Sequence, residues 1–532
     1  MNPLNLSVDP RSRQYTLMHS NDPPEDFERP SIRAAISHAD ERIASLDEEI
    51  SALQRKLKEL EEERVLVADY QTKNKAILSP LRRMPAEVLT EIFSHLRPYR
   101  EPVFEGRQSY LAHGPWLPSH VSRRWRAISL STPSLWSHIV IDYARQYYPA
   151  SPLQLEAHIQ RAKSLSLKIL FYGAEDADSD SQMQMLDHLL EYSSRWEDLL
   201  VVFSPQLVSL LDTRSAQIKA SSLKKLRVEW HGFDSQEGVI SLDAFSSIAS
   251  LTHVVLQTHG VTQNPGPEHR FIPISFPTHL THYEVNCPWH MHADILKLTP
   301  FVVKARIFVE SVDDPLPESM VALEQLGWLF TTSPKILQRI HAPRLNGLAF
   351  YVAEDLTDAS VLASVGALIQ HSACVLTQLC FNGLPKEVST TTQILQNLPS
   401  LADLRIICDL PNTIAVERLG ALIFSLTIFE ANGLNTAAPQ LRTFSVAHVK
   451  HTPTIPYQKY ADMLNSRLEA ADCELTAATL AISNAPYPDS ASLSTLTAIR
   501  RQGHNFTFLK EWDAHKEMSF WEYKSTWPVY LD

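Results

Sequence analysis

The chain has 532 residues, of which 44% are hydrophobic and 20% charged, so most of it is expected to fold, as several domains or as one long repeat array. Its net charge of −12 argues against a nucleic-acid binder, because such proteins usually carry a basic surface. Five cysteines without a Cys-x-x-Cys spacing argue against a disulfide framework or a zinc site, and they favour a reducing compartment. With neither a signal-peptide pattern nor an apolar run of membrane-spanning length, we expect an intracellular protein, cytoplasmic or nuclear, with no membrane association.

The first 75 residues divide into two segments. Residues 1–30 are polar and contain five prolines, which predicts a disordered tail. Residues 31–75 follow a heptad pattern, which predicts a coiled-coil helix. The a positions of its seam are Ile36, Ile43, Ile50 and Leu57, and the d positions are Ala39, Leu46, Leu53 and Leu60.

The seam pattern indicates how such a helix could pair. Isoleucine at a with leucine at d favours parallel dimers, which here would form through residues 32–67. In that register Arg42 meets Asp47 of the partner chain and Lys56 meets Glu61, whereas Arg64 at an a position weakens the last heptad. The alternative is a single long helix lying on later parts of its own chain, and the sequence leaves both open.

Three short apolar stretches follow between residues 79 and 141. Residues 84–93 read MPAEVLTEIF, residues 121–125 read VSRRW and residues 133–136 read PSLW. Pro85 suits the first turn of a helix, and the apolar residues behind it recur at helical spacing. Three helices of this size cannot bury their own apolar faces, so the sequence predicts that another surface covers them.

Together the three stretches resemble an F-box. Met84 stands where leucine is usual, and residues 97–114 lengthen the first link, as in the fungal F-box proteins that this chain resembles. The resemblance implies helix-in-groove binding to the adaptor subunit of an SCF-type cullin–RING ubiquitin ligase, and through that adaptor to a cullin. Trp125 and Trp136 would mainly hold the helices together. The adaptor-binding residues implied are Leu81, Met84, Pro85, Glu87, Val88, Leu89, Ile92, Phe93, Leu96, Val121, Trp125, Leu135 and Trp136.

Residues 142–510 contain a recurring phrase, Leu-x-x-apolar-x-apolar. Adjacent clear copies are mostly 25–31 residues apart, with plausible helices such as residues 181–192 and 358–372 between them. The region resembles a divergent leucine-rich-repeat array that lacks the usual asparagine. The alternative is an ordinary α/β domain with similar strands. Clear copies occur at 223–228, 251–256, 280–285, 345–350, 376–381, 401–406 and 441–446, and weaker ones at 196–201, 304–309 and 477–482.

The predicted fold class is therefore α/β: a coiled-coil helix, a three-helix F-box and a leucine-rich-repeat-like αβ solenoid. Residues 504–508 are predicted to form the last strand, and the aromatic tail at 511–532 to cap the array. In a solenoid, alternate strand residues point outward and commonly bind partners. The outward, candidate substrate-binding residues are Lys225, Arg227, Glu229, His253, Gln257, His282, Glu284, Asn286, Tyr351 and Arg405.

Motifs for catalysis are missing from the sequence. It has no Gly-x-Ser-x-Gly, no Walker loop and no Gly-x-Gly-x-x-Gly, and with 14 glycines phosphate-cradling loops are improbable. The acidic run at 176–180, and His290 with His292 and Asp294, are incomplete as metal sites. We therefore expect no enzyme, no cofactor and no metal. The leading hypothesis is an SCF substrate receptor that binds an unknown protein target; the alternative is a non-catalytic scaffold that dimerises through its coiled coil.

Overall fold

The protein divides into two compact units, Met1–Val88 and Leu89–Asp532. The computed structural model describes residues 8–96, 114–143, 151–173, 179–203, 207, 213–214, 218–231, 245, 248–259, 276–309, 319–353, 356–408, 413–428, 437–448, 456–470, 473–482, 488–510, 513–514 and 517.

Two helices lead the first unit. The short helix α1, Arg13–His19, begins where the Ser12 hydroxyl accepts a hydrogen bond from the backbone N–H of Tyr15 at 3.1 Å. This helix lies within the segment predicted to be disordered, and a local cap suffices to start it. The helix α2, Arg29–Ile77, is 49 residues long, and none of its residues is buried. The prediction of a long N-terminal helix is confirmed.

The segment predicted to contain three short helices contains four helices and a 3₁₀ turn within its described residues. Ser122 causes the extra division: its extended backbone ends one helix, and its hydroxyl accepts a hydrogen bond from the Trp125 N–H at 3.2 Å to start the next. Residues 97–113 of the lengthened link lie outside the described residues. The elements are α3 Pro80–Arg83, α4 Ala86–Ser94, α5 Trp116–Val121, α6 Arg123–Ser131 and the 3₁₀ turn Pro133–Leu135.

A parallel sheet of 14 strands forms the body of the second unit. Its strands follow one another across the sheet in chain order, and two short strands, β8 and β10, pair separately with each other. The strands are β1 His138–Asp142, β2 Leu167–Tyr172, β3 Trp196–Phe203, β4 Lys225–His231, β5 His253–His259, β6 His282–Cys287, β7 Lys304–Val309, β8 Val321–Ala322, β9 Trp328–Thr331, β10 Ile340–His341, β11 Gly347–Tyr351, β12 Gln378–Asn382, β13 Asp403–Cys408, β14 Thr443–His448, β15 Ala477–Ile482 and β16 Asn505–Lys510.

Helices connect many of these strands. Because consecutive strands run parallel, the chain must return between them, and helices make the crossovers. The described helices of this region are α7 Pro152–Arg161, α8 Ser179–Leu190, α9 Trp289–Leu298, α10 Asp358–Ser372, α11 Val388–Gln396, α12 Thr413–Leu426, α13 Tyr457–Glu469 and α14 Ser490–Arg501, with 3₁₀ turns at Ser193–Arg195 and Pro334–Arg339.

The recurring phrase marks the strands correctly. All seven clear copies and the three weaker ones overlap strands of the large sheet, and the predicted last strand is β16. The leading leucine of each clear copy is buried, as are the apolar residues that follow it on one side of the strand. The strand β9 carries an imperfect copy, since its phrase starts at Leu326 and ends on Thr331 rather than on an apolar residue.

A second repeated feature lies just before the strands. The residue ahead of many strands donates its backbone N–H to the carbonyl of the equivalent residue ahead of the preceding strand, as Thr252 does to Lys224 and Thr281 to Thr252, both at 2.9 Å. The same bond recurs from Val303 to Thr281 and from Thr377 to Asn346. The backbone hydrogen bonds between neighbouring strands therefore begin one residue before the strands themselves.

Candidate protein-interaction site

The helix α4 has a buried and an exposed apolar side. Leu89 and Phe93 are 0% and 2% exposed, and the Phe93 ring lies 5.0 Å from the ring of Trp125. Val88 and Ile92, one turn apart, are 44% and 38% exposed. Residues spaced by four share one face of a helix, so these two present an aliphatic edge away from the buried pair.

The other residues implied by the F-box resemblance are exposed, half-buried or buried. Exposed with Val88 and Ile92 are Leu81, Pro85, Glu87 and Val121. Half-buried are Met84, Leu96 and Trp125. Buried with Leu89 and Phe93 are Leu135 and Trp136. The assignment of the buried four to an adaptor contact stays a prediction, whereas their burial supports an internal packing role.

Two tryptophans anchor α5 and α6 to the sheet region. The fully buried Trp136 donates its Nε1–H to the Ser129 carbonyl at 2.8 Å, and its ring meets Trp116 edge-on at 5.1 Å. Trp116 in turn donates its Nε1–H to His158 Nε2 on α7 at 2.7 Å. The Arg161 guanidinium lies over both indole rings, 4.3 and 4.5 Å from their centroids. Burial lowers the pKa of Arg161.

The ten candidate substrate-binding residues lie on one face of the sheet. The strand registers align Lys225, His253 and His282 in one row and Arg227 and Glu284 in the next. The registers of the later strands place Tyr351 and Arg405 on the same face. The alternation expected from the sequence therefore holds. Half-buried members are Lys225, Arg227, His253, Gln257, His282, Asn286, Tyr351 and Arg405, whereas Glu229 and Glu284 are buried.

The buried members form a charge network, so they are less accessible than an outward position implies. Arg227 Nε donates to Glu229, and its Nη2 donates to Gln257 Oε1 at 3.1 Å. Gln257 donates to Glu284, which also pairs with Arg306, and both charged side chains of that pair are 3% exposed. Burial opposes the charge of Arg227, yet the carboxylates of Glu229 and Glu284 raise its pKa overall.

Apolar clusters flank the charge network on the same face. The first spans β1 to β3, and the second spans β9 to β15 and includes Ala514, which follows β16. The three tryptophans of the predicted cap lie outside the described residues. The first cluster contains Val140, Leu170, Tyr172, Leu200 and Val202; the second contains Trp328, Phe330, Ala349, Cys380, Ile407, Ala447, Ala481 and Ala514.

The half-buried row at the strand starts carries two stacked imidazoles. The rings of His253 and His282 are parallel within 10°, with centroids 3.8 Å apart, between Lys225 and Lys304. Burial, followed by the two lysines, lowers the pKa of His253 to about 4. Burial, followed by His253 and the lysines, lowers the pKa of His282 to about 3. Both rings are therefore neutral at pH 7.

The metal hypotheses find no support in the described part of the chain. It holds no group of three or more His, Cys, Asp or Glu side chains placed to bind a metal. His292 is instead buried in α9, hydrogen-bonded to the Tyr283 hydroxyl at 2.7 Å and to the Phe308 carbonyl at 3.0 Å. The acidic run at 176–180 lies mostly outside the described residues. Among the helices that are described, none is both long and apolar enough to cross a membrane.

Comparison with known proteins identifies one part of the chain. Residues 81–142 match the family described as F-box-like, so they form an F-box-like domain. The match begins at Leu81 in α3 and ends with β1, and it contains all three motifs noted in the sequence. No curated protein matches the chain. The domain indicates a role in protein–protein interaction.

The charge network predicts an asymmetric response to mutation. Glu284→Leu should destabilise the fold by about 3 kcal/mol, because it removes the carboxylate partner of the buried Arg306. Glu474→Leu is the matched control, since Glu474 pairs with Arg442 at 61% side-chain exposure for both, where such pairs contribute little. Urea unfolding followed by tryptophan fluorescence measures the free energy of unfolding of both variants. Equal losses would show that the buried charge network stabilises the fold no more than the exposed pair does.

The histidine row predicts a pH dependence of stability. An unfolded histidine takes up a proton near pH 6.5, whereas folded His253 and His282 do so only near pH 4 and 3. Their contribution is therefore complete above pH 6.5 and is lost as the pH falls toward 4. The urea midpoint should drop between pH 7 and pH 5, and it should drop less in the His253→Gln, His282→Gln double variant. An identical drop in both proteins would contradict this assignment.

Proposed function

We propose that this chain is the substrate receptor of an SCF-type ubiquitin ligase, working in the cytoplasm or nucleus. The F-box-like domain binds the ligase adaptor, which connects it to a cullin, and the sheet region binds a protein target. The observation that carries this proposal is the match of residues 81–142 to the F-box-like family, together with the exposed aliphatic edge of α4 within that segment.

The adaptor contact is helix-in-groove binding. Val88 and Ile92, four residues apart on α4, are the central contacts, because both are exposed. Leu81, Pro85 and Val121 are further exposed apolar residues of the F-box-like domain. Leu89 and Phe93 act from behind, since their burial fixes the position of α4. Burying an aliphatic side chain completely is worth roughly 1.5–3 kcal/mol, so a few such contacts offset the cost of association.

The target-binding region is a leucine-rich-repeat-like solenoid in this proposal. Support comes from 14 parallel strands in chain order, from the buried leading leucine of each clear copy of the phrase, and from the backbone bond that recurs ahead of many strands. The half-buried row of Lys225, His253 and His282 is the part of the face that a target contacts. The chain performs no bond chemistry; it raises the effective concentration of the target at the ligase.

The adaptor contact is tested by the Val88→Asp, Ile92→Asp variant. Capture of purified adaptor should weaken at least about tenfold, because two carboxylates would enter an apolar groove and each tenfold step corresponds to about 1.4 kcal/mol. Biolayer interferometry measures the affinity. The control is Leu298→Asp with Leu493→Asp, which adds the same charge at exposed leucines outside residues 81–142. Equal adaptor affinity for the wild type and both variants would overturn the adaptor assignment.

The receptor role is tested by proximity labelling in cells. A ligase target should accumulate near the wild-type chain when the proteasome is inhibited, and it should accumulate without inhibition near the Val88→Asp, Ile92→Asp variant. This pattern arises because the variant still binds the target but no longer delivers it. Neighbours whose abundance responds to neither change would favour a binding role without degradation.

The second candidate is a scaffold that dimerises through α2 and has no ligase role. The observation in its favour is the long α2, in which no residue is buried. Adaptor capture separates the two candidates: a scaffold would bind its partners unchanged in the Val88→Asp, Ile92→Asp variant, with no adaptor present in the wild-type complex.

A further inference from the structure

The seam of α2 is an exposed apolar stripe. Its isoleucines and leucines are 40–63% exposed, although side chains of this kind are usually buried in folded proteins. They recur over four heptads along one side of α2, which is a single continuous helix of 49 residues. The exposed seam residues are Ile36, Ile43, Leu46, Ile50, Leu53, Leu57 and Leu60.

We propose that a second copy of this chain covers the seam, as a parallel, in-register two-stranded coiled coil. β-branched Ile at a with Leu at d packs best in parallel dimers, and three of the four apolar a positions here are isoleucine. The proposal rests on α2 alone, so its failure would leave the adaptor contact untouched.

Charge complementarity selects both the occupant and the orientation. In the parallel pairing Arg42 faces Asp47 of the partner chain, and Lys56 faces Glu61, with no like-charged pair among the flanking positions. Lys56 lies 3.2 Å from Glu59 in its own helix, an exposed pair that contributes too little to prevent a change of partner. An antiparallel pairing centred on the seam would instead bring Arg42 opposite Lys56, which repel.

One position limits the affinity. Arg64 occupies an a site, so a parallel dimer places two guanidinium groups at the same level of the seam. A polar residue at a single a position fixes the register of a coiled coil at a cost in stability. The pairing therefore resembles a reversible dimer more than a permanent one. Its consequence is a complex with two F-box-like domains and two sheet faces, which binds a repeated or dimeric target more tightly than one copy can.

Sedimentation velocity of the full chain tests the pairing. At micromolar concentration, the mass that sedimentation gives for the wild type should be twice the 60.1 kDa of one chain. Ile43→Asp with Ile50→Asp should give the monomer, because both carboxylates enter the seam. Ala44→Asp with Ser51→Asp adds the same charges one residue along, on the outer side of the helix, and should remain dimeric. A wild type that stays monomeric, or a control as monomeric as the seam variant, would overturn the proposal.

Two further variants distinguish dimerisation from misfolding and test whether the two copies of α2 run parallel. Arg64→Leu should lower the dimer dissociation constant at least tenfold, a gain that a damaged protein could not show. Leu46→Cys at a d position should form a disulfide-linked dimer on mild oxidation, whereas Ser45→Cys on the outer side should not. The wild type, with its own cysteines, sets the background. Failure of Leu46→Cys to link selectively would exclude the parallel, in-register arrangement.

Discussion

The fold of the compact unit Leu89–Asp532 depends on the backbone hydrogen bonds between successive strands of its sheet. Within the large sheet the strands pair in chain order, and the residue ahead of many strands already donates its N–H to the residue ahead of the preceding strand. A single strand with its connection would leave its backbone N–H and C=O groups unpaired and its leading leucine exposed. It is therefore stable only between neighbouring strands. Any binding surface on such a sheet must be a row of side chains taken from several units, as Lys225, His253 and His282 are.

The F-box-like domain divides its apolar residues between folding and binding. Leu89 and Phe93 on α4 point inward, where Phe93 meets Trp125, while Trp116 and Trp136 connect α5 and α6 to α7. This attachment gives α4 a fixed position from residue 89 onward, and a fixed helix binds with a smaller loss of conformational entropy than a mobile one. The exposed Val88 and Ile92 are therefore suited to recognition because their buried neighbours perform a different task.

Much of the fold could be predicted from the sequence, because it depends on local repetition. The leucine phrase located ten strands, and the heptads located α2, since both patterns record which side of an element is apolar. The phrase failed at β9, where Thr331 replaces the last apolar residue although Leu326 and Leu329 remain buried. Ser122 divided a predicted helix because capping depends on one hydroxyl and its backbone angle, which periodicity does not register.

The candidate site was less predictable, because alternation gives the side of a strand but not what covers that side. Glu229 and Glu284 point to the predicted face, yet they are buried because Glu229 pairs with Arg227 on its own strand and Glu284 pairs with Arg306 on the neighbouring strand. The spacing of the strands in the sequence, which is irregular, does not indicate that Arg306 lies beside Glu284. Only the strand register brings these charges together.

The burial pattern also limits which part of the sheet face the proposed target can contact. The middle of the face is occupied by mutually paired charges, whose desolvation is already compensated within the chain and which offer little to a partner. Toward the later strands, Ala514 joins Ala349, Ala447 and Ala481 in a buried cluster, and small side chains on the strands let this segment approach closely. The chain thus covers part of its own face. Among the described residues of this face, the half-buried row at the strand starts stays partly accessible. Two neutral imidazoles lie there between lysines, where an acidic group of the proposed target would find its counter-charge.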